Sequence, residues 1–382
     1  IDKQELVHIL WDRIILDEGH VIRNKKTRLF EACSKIIRED TVKWILTGTP
    51  IQNSKQDIIS LFKFLDVDIN NTRITDSIDK YVLRRTKDIL IKSNTIDKYV
   101  IYNHCVPFKL RSEQEFYKTI ERDAIDDLLI SSVDKPSSMQ SSILNIYLRL
   151  RQCCVHPKMA LTSIHKNNPG IDLTMLDSID STKIERITQD ISKLNKYCLV
   201  FCHFKDEMNM IQMKLNKIGV KCEQYHGSLN QRERQDVINK FNSVPVKKLK
   251  FKNNKGKIIV KENKPRVLLI QINAGGVGLN LQQFSNVFIV SPDWNPCNEI
   301  QAISRSHRIG QQNKVNVHKY TVRFNPEFEE TDSKFVLKTI DERILSKQIN
   351  KRNLMVDILS DKTLEFKEEF DSHNNMMDIL GL

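Results

Sequence analysis

The chain has 382 residues, 40% of them apolar, and a formal net charge of +12. That length exceeds one ordinary domain and predicts two or three, with enough apolar material for real cores. No run of about 18 apolar residues occurs, so no membrane span is expected. The eight cysteines form no C-x-x-C pair, which argues against a zinc site and suits reduced thiols in an intracellular protein. Charge is uneven: residues 326–382 hold 8 Lys/Arg against 13 Asp/Glu, leaving +17 on residues 1–325. A basic body with an acidic tail points to a polyanion partner. Residues 1–10 do not read as a signal peptide, and Ile1 in place of Met leads us to expect further chain upstream.

In chain order, residues 11–16 read as a buried strand that ends in two carboxylates, Asp17 and Glu18. Residues 25–39 read as a helix and 43–47 as a second strand, stopped by Gly48, Thr49 and Pro50. Strand, helix and strand with polar residues at the strand ends is the pattern of an open parallel sheet. Ligands of such sheets sit beyond the carboxyl ends of the strands. A helix is expected at 56–65 and a strand at 99–106. From 109 to about 180 the pattern is helical and polar, broken by the turn-rich 131–138, as in an inserted helical subdomain.

A second α/β unit begins near 181, with strands expected at 198–202, 220–224, 267–272 and 287–291. Between two of them, residues 246–264 carry eight lysines and one Glu, in two alternating runs around Asn253, Asn254, Lys255 and Gly256. This reads as a basic hairpin or loop, either a solvated insertion or a nucleic-acid contact through Lys247, Lys248 and Lys250. A helix is expected at 336–359, followed by an acidic stretch. The predicted fold class is α/β, with divisions at 1–108, 109–180, 181–325 and 326–382.

Three clusters carry chemistry. Hydrolysis of a nucleoside triphosphate needs one carboxylate to hold magnesium and another polar group to orient water. Asp17 suits the metal side and Glu18 the water side, in the block DEGH at 17–20. The block LTGTPIQN at 46–53 offers the hydroxyls of Thr47 and Thr49 beside a turn at Gly48, and such a loop can couple nucleotide state to movement. Arg305 and Arg308 are three apart, so a helix there would present both on one face, toward charge developing on a phosphoryl group. Upstream, Gly275, Gly276 and Gly278 allow close backbone approach to a ligand. Trp294, on a Pro-flanked turn, is either a core residue or a stacking or wedging contact to nucleic acid. Taken singly, these clusters also fit plainer readings: an acidic pair after an apolar run, a strand-to-helix turn, a solvated basic helix.

Together, in this order, the blocks resemble the Swi/Snf group of superfamily-two helicase-like ATPases. The resemblance rests on DEGH, LTGTPIQN, LRRTK at 83–87, the glycine-rich INAGGVGLNLQ at 272–282 and SRSHRIGQ at 304–311. Smaller blocks support it: LRQCCVHP at 150–157, YHGS at 225–228 and TIDERIL at 339–345. The phrase ILDEGHVIRN at 15–24 looks closest to the helicase-like transcription factor and postreplication-repair translocase branch, although the chain lacks the cysteines for that branch's RING finger.

The resemblance implies two RecA-like lobes closing on ATP and magnesium, with an inserted helical subdomain and a C-terminal helical segment. It implies Asp17, Glu18 and His20 from the first lobe, and Gln301 and the arginine fingers Arg305 and Arg308 from the second, with Gly276 and Gly278 near the nucleotide. Double-stranded DNA would lie across both lobes, met by Asn280, Trp294 and the basic insertion, mainly through phosphates. Nucleosomes or other DNA-bound proteins would be what such a motor acts on, in the nucleus or, for a large DNA virus, at its replication site. The alternatives are a strand-separating helicase and a DNA-binding fragment without catalysis. Three departures stand out: Ser304 replaces the family's usual Asp, the stretch between Leu65 and Leu83 is short, and no G-x-x-x-x-G-K-[ST] loop occurs. That phosphate-binding loop is expected upstream of Ile1.

Overall fold

Parallel sheets are covered on both faces, so their inner strands are apolar throughout rather than alternating. Cys198–Cys202 is such a strand, with all five residues buried. The computed structural model describes residues 6–359 apart from 68, 70–73, 86, 94, 135–138, 166–179, 243–248, 253–257, 262–265, 275–278 and 329–337. Its strands are β1 (Arg13–Leu16), β2 (Val42–Ile45), β3 (Val100–Pro107), β4 (Cys198–Cys202), β5 (Cys222–Tyr225), β6 (Leu249–Lys252), β7 (Ile258–Lys261), β8 (Val267–Gln271), β9 (Asn286–Ile289) and β10 (Asn316–Arg323). Two compact units result. The first takes in Ile1–Lys92, Trp294–Cys297 and the described chain from Ser346; the second takes in Ser93–Asp293 and Asn298–Leu345.

In the second unit six parallel strands follow the order β3-β10-β9-β4-β8-β5. Side chains alternate across a strand, so β4 feeds two cores. Cys198, Val200 and Cys202 join Ile184, Ile187, Ile191 and Met208 on one side. Leu199 and Phe201 join Phe241, Leu268, Phe284 and Val287 on the other. The helix Thr182–Lys193 presents Ile184, Ile187 and Ile191 at helical spacing, and Ser181 caps it by accepting from the Ile184 amide at 3.1 Å. The α/β class is as the sequence pattern predicted.

Two expectations need correction. The strand read at 99–106 closes the first division at 108 in the sequence reading, yet β3 pairs with β10 along eight residues. Its ring-bearing side chains explain that choice of partner: His104 Nε2 lies 3.1 Å from His318 Nδ1, and Tyr102 stacks on His318 with centroids 5.0 Å apart. Second, residues 131–134 belong to a helix, Arg111–Asp134, rather than to a turn. The helices Met139–Val155 and Pro157–His165 complete the described part of the helical segment.

In the first unit β1 and β2 form a parallel pair, with Arg13 opposite Val42 and Leu16 opposite Ile45. The helix Arg28–Lys35 connects them, capped where the Thr27 hydroxyl accepts from the Phe30 amide at 3.3 Å. Ile14, Ile22, Phe30, Leu61 and Phe64 form the core beneath. The helix Lys55–Phe64 follows LTGTPIQN directly, opened by a capping box between Ser54 and Asp57.

Deep in the second unit Lys183 and Asp341 are both fully buried and paired. The Lys183 ammonium also donates to the Ser291 hydroxyl at 2.8 Å, and Asp341 accepts from the Val322 amide at 3.1 Å. The pair ties the start of the helix Ile340–Leu359 to the sheet. Removing one partner strands a buried charge, so Lys183→Met should cost about 3–5 kcal/mol by denaturant unfolding. The double variant Lys183→Met/Asp341→Leu should cost less than the single one; a single variant within about 1 kcal/mol of wild type would refute the pair's role.

Candidate functional site

β1 and β2 end side by side, so the residues following each meet at one edge. The Leu46 amide donates to the Leu16 carbonyl at 2.8 Å, and the Gly19 amide to the Leu46 carbonyl at 2.9 Å. This closeness requires Gly19, because a Cβ there would overlap the Ile45 side chain. Glu18 adopts the left-handed conformation, φ 49° and ψ 43°, unusual for a residue with a side chain. Its amide donates to Asp17 Oδ1 at 2.9 Å, which helps hold the turn.

The turn brings Glu18, His20 and Thr47 together. His20 Nδ1 lies 3.3 Å from Glu18 Oε2 and 3.2 Å from Thr47 Oγ1. Burial, its largest influence, lowers the His20 pKa against the opposing effect of Glu18, so the ring is neutral near pH 7. The cluster continues through the Thr49 amide, which donates to Thr47 Oγ1 at 3.1 Å, and Gln52 Nε2, which donates to Thr49 Oγ1 at 3.0 Å. Thr47 is thus linked to Glu18 through His20, and Thr49 joins the cluster only through Thr47 and Gln52. Gly48 differs: its backbone is not left-handed and a Cβ there would meet nothing within 4 Å, so this turn does not itself demand glycine.

Asp17 is exposed at the strand end. Magnesium is commonly held by one or two protein carboxylates, with phosphate oxygens and water filling the remaining positions. An exposed carboxylate fits that arrangement, and among the described residues no group of three or more His, Cys, Asp or Glu offers a closed cage.

In the second unit Gln301 and Arg305 line one cavity together with Phe201, Asn273 and Asn298. Gln301 and Arg305 lie on the helix Pro296–Ser306. Arg308 does not, which corrects the expectation of two arginines on one helical face. The helix ends as the buried Ser306 hydroxyl engages the Phe284 carbonyl and His307 Nε2 lies 2.6 Å from the Asp97 carbonyl. Arg308 is exposed and donates to the Leu279 carbonyl at 3.3 Å. Asn280 is exposed in the loop before Leu281. Gly276, Gly278, Lys247 and Lys248 lie outside the described residues. Lys250 belongs to β6, which pairs antiparallel with β7, so the hairpin expected there is present.

Trp294, in the first unit, is half-buried, with the Lys351 ammonium 4.4 Å from its ring centroid. Lys351, Asn295 and Gln52 are residues the sequence reading missed. Asn295 Nδ2 donates to Gln52 Oε1 at 2.9 Å, a contact across 243 residues that no local pattern signals. The one available hint was the polar pair Gln52 and Asn53 standing directly after the buried Ile51.

Behind the second unit's cavity lies a buried polar group, also unforeseen. Asn298 Nδ2 donates to Asp293 Oδ1 at 3.0 Å, and His203 Nδ1 lies 3.6 Å from Asp293 Oδ2. Burial pushes His203 well below its ordinary pKa, so the ring is neutral. The amides of His203 and Phe204 donate to Glu207 at 2.8 and 3.0 Å, opening the helix Lys205–Lys217. Burial raises Glu207 to about 7 despite those two amides.

Residues 1–75 and 70–159 match the SNF2-related domain, and residues 182–310 match the helicase conserved C-terminal domain. The chain is 30% identical over 332 residues to the "Probable global transactivator" of Orgyia pseudotsugata multicapsid polyhedrosis virus, covering 82% of this chain and 62% of that protein. It is 26% identical to the chromodomain-helicase-DNA-binding protein 3 homolog of Caenorhabditis elegans, covering 85% of this chain and 18% of that protein. It is 27% identical to the CHD3-type chromatin-remodeling factor PICKLE of Arabidopsis thaliana, covering 94% and 24%. The chain therefore spans less than two thirds of the length of each of these relatives.

The Glu207 environment gives a pH test. With its folded pKa raised to about 7, Glu207 binds its proton more tightly in the folded state than in the unfolded chain. Its contribution is fully present below the unfolded value of 4.5 and is lost as pH rises through about 7. Glu207→Gln keeps a capping side chain but cannot ionise. The variant should therefore gain on wild type between about pH 5 and about pH 8, by up to about 3 kcal/mol in unfolding free energy. A constant difference across that range would show that Glu207 does not titrate near 7.

Proposed function

From a chain that carries an SNF2-related domain followed by a helicase conserved C-terminal domain, we infer the motor of a DNA-dependent ATPase that moves along duplex DNA and remodels DNA-bound complexes. The observation that carries this reading is the joining of Glu18 to Thr47 through His20 at the paired ends of β1 and β2. Carboxylates at the carboxyl ends of parallel strands are where an α/β sheet receives a ligand. ATP and magnesium supply the transferable phosphoryl group and its charge neutralisation. Asp17 is the carboxylate for the metal, and Glu18, steered by neutral His20, orients the attacking water. Thr47 and Thr49 relay the state of that site into the LTGTPIQN loop. In the second unit Arg305, lining a cavity with Gln301, supports charge on the phosphoryl group; Arg308, exposed beyond the helix, is the second finger.

The DNA reading rests on the charge of +17 over residues 1–325 and on the lysine-rich β6–β7 hairpin. Contact through phosphates is insensitive to sequence and falls with salt. The phrase ILDEGHVIRN supports a place nearest the helicase-like transcription factor and postreplication-repair branch. The names of the relatives, a viral transactivator and chromatin factors, support work in the nucleus or at a viral replication site, with nucleosomes among the targets.

An ATPase assay of the full-length protein with and without duplex DNA tests the reading directly: stimulation by DNA is expected, and its absence would overturn the assignment. Strand displacement in a parallel assay would favour a helicase instead. Glu18→Gln should lower turnover on the order of 100-fold or more while leaving DNA affinity unchanged. Replacing Lys247, Lys248 and Lys250 together should reduce the slope of log affinity against log salt by about 2–3. An unchanged slope would identify the hairpin as a solvated insertion.

A further inference from the structure

In a parallel sheet all strands start at one edge, opposite the carboxyl edge at which ligands are received. In the second unit the register makes those starts level. Val100, Asn316, Asn286, Cys198, Val267 and Cys222 begin β3, β10, β9, β4, β8 and β5, and each stands opposite the next. With neighbouring strands about 4.8 Å apart, the six entries form a row about 24 Å long.

Five of the six entries carry a cation. Lys98, Lys314, Lys196, Arg266 and Lys221 each stand one or two residues before the strand they lead into. The four lysines are exposed and Arg266 is half-buried. Within the four residues before each strand, Asp97 is the only acid. Three of the cations occupy the adjacent entries of β5, β8 and β4, and the backbone ties them together. The Arg266 amide donates to the Lys221 carbonyl at 2.9 Å, and the Cys198 amide to the Arg266 carbonyl at 3.0 Å. The Arg266 guanidinium donates to Asn195 Oδ1 at 3.2 Å, which restrains its direction.

Helix C-termini also gather at this edge, and their partial negative charge favours cations within the last turn. That accounts for Lys193 and Lys217, which stand in the last turns of their helices. It does not account for the row, whose five members lie past the helix ends. The lysine-rich hairpin is tethered to the same place: β7 ends at Lys261, five residues and so at most about 18 Å from Arg266. Among the described residues at these entries, Ile218 is the only large apolar side chain more than half exposed. Protein interfaces are anchored by buried aromatic and apolar side chains, whereas a phosphate backbone is held by charge. The surface fits the second kind of partner.

We propose that the amino edge of this sheet is a contact surface for the backbone of duplex DNA, with Lys98, Lys196, Lys221, Arg266 and Lys314 as its phosphate contacts. The proposal rests on the duplex-DNA reading above and goes beyond it, since none of the five belongs to the blocks that carry that reading. Such a surface adds affinity without sequence preference.

The test uses the full-length protein and a labelled duplex. Replacing Lys98, Lys196, Lys221 and Lys314 together by Gln spares Arg266, whose contact with Asn195 is structural. The slope of log affinity against log salt should fall by about 3–4, and DNA-free turnover should stay within about two-fold of wild type. A second arm needs no variant. The wild-type protein is acetylated with and without saturating duplex, and the four lysines should be protected several-fold when duplex is bound. An unchanged slope, or equal acetylation with and without a duplex that the protein binds, would overturn the proposal. Protection by an oligoglutamate peptide but not by duplex would also overturn it, and would make the edge a docking face for an acidic peptide. A wild-type protein that binds no duplex at all would instead sink the functional reading beneath it.

Discussion

A single nitrogen organises the polar end of the first unit. His20 Nδ1 lies within reach of Glu18 and of Thr47, and it cannot serve both in the same way in every state. With a proton on Nδ1 the ring donates toward the carboxylate and the threonine. With the proton on Nε2 it accepts from the Thr47 hydroxyl and leaves Glu18 without that donor. Burial lowers the His20 pKa against the opposing effect of Glu18, and in the neutral ring the tautomer decides whether Nδ1 donates or accepts. The Thr49 amide, donating to the same Thr47 oxygen at 3.1 Å, carries the contact on into LTGTPIQN.

The same physical rule places the second unit's polar residues. In a parallel sheet all strands release their chain at one edge, and backbone groups just past that edge are not consumed by ladder hydrogen bonds. His203 follows β4, and Asp293 lies a few residues past β9, the neighbouring strand. Their encounter at 3.6 Å, with Asn298 and Glu207 alongside, follows from strand order and not from sequence proximity. This group adjoins the cavity lined by Gln301 and Arg305 through Asn298, which lines that cavity and donates to Asp293.

Much of this was legible in the sequence, and the exceptions share a cause. β4 and β8 announce themselves as unbroken apolar runs because both faces are covered. The helix after LTGTPIQN is legible from Ser54 and Asp57, three apart, as a capping box. β10 escaped because Asn316, His318 and Lys319 interrupt its apolar residues, and β3 was seen without its partner, since register is a tertiary fact. Arg308 was assigned to a helix because spacing alone cannot see the helix ending at Ser306. Asp17, Glu18, His20, Thr47 and Thr49 were found with their roles, whereas Gln52 was seen only as a letter of the LTGTPIQN block and its ties to Asn295 and, through Asn53, to Lys351 were not seen. The second group is tied together across nearly the whole chain, and such ties leave no local signature.

Those distant ties also bear on why a polar contact occupies a place that apolar packing could fill. Cys297 already buries its side chain against Ile51, Ile58 and Phe62. Adding a buried amide pair at 2.9 Å contributes only about 1 kcal/mol to stability when satisfied, and costs about 1–3 kcal/mol when one partner is lost. The asymmetry makes such a contact a poor source of stability and a strict geometric filter: the turn is tolerated in one register and penalised in others. Apolar packing, being non-directional, permits sliding. The Thr49–Gln52–Asn295 bonds therefore fix the direction in which the turn meets the LTGTPIQN loop more than they add strength to the contact.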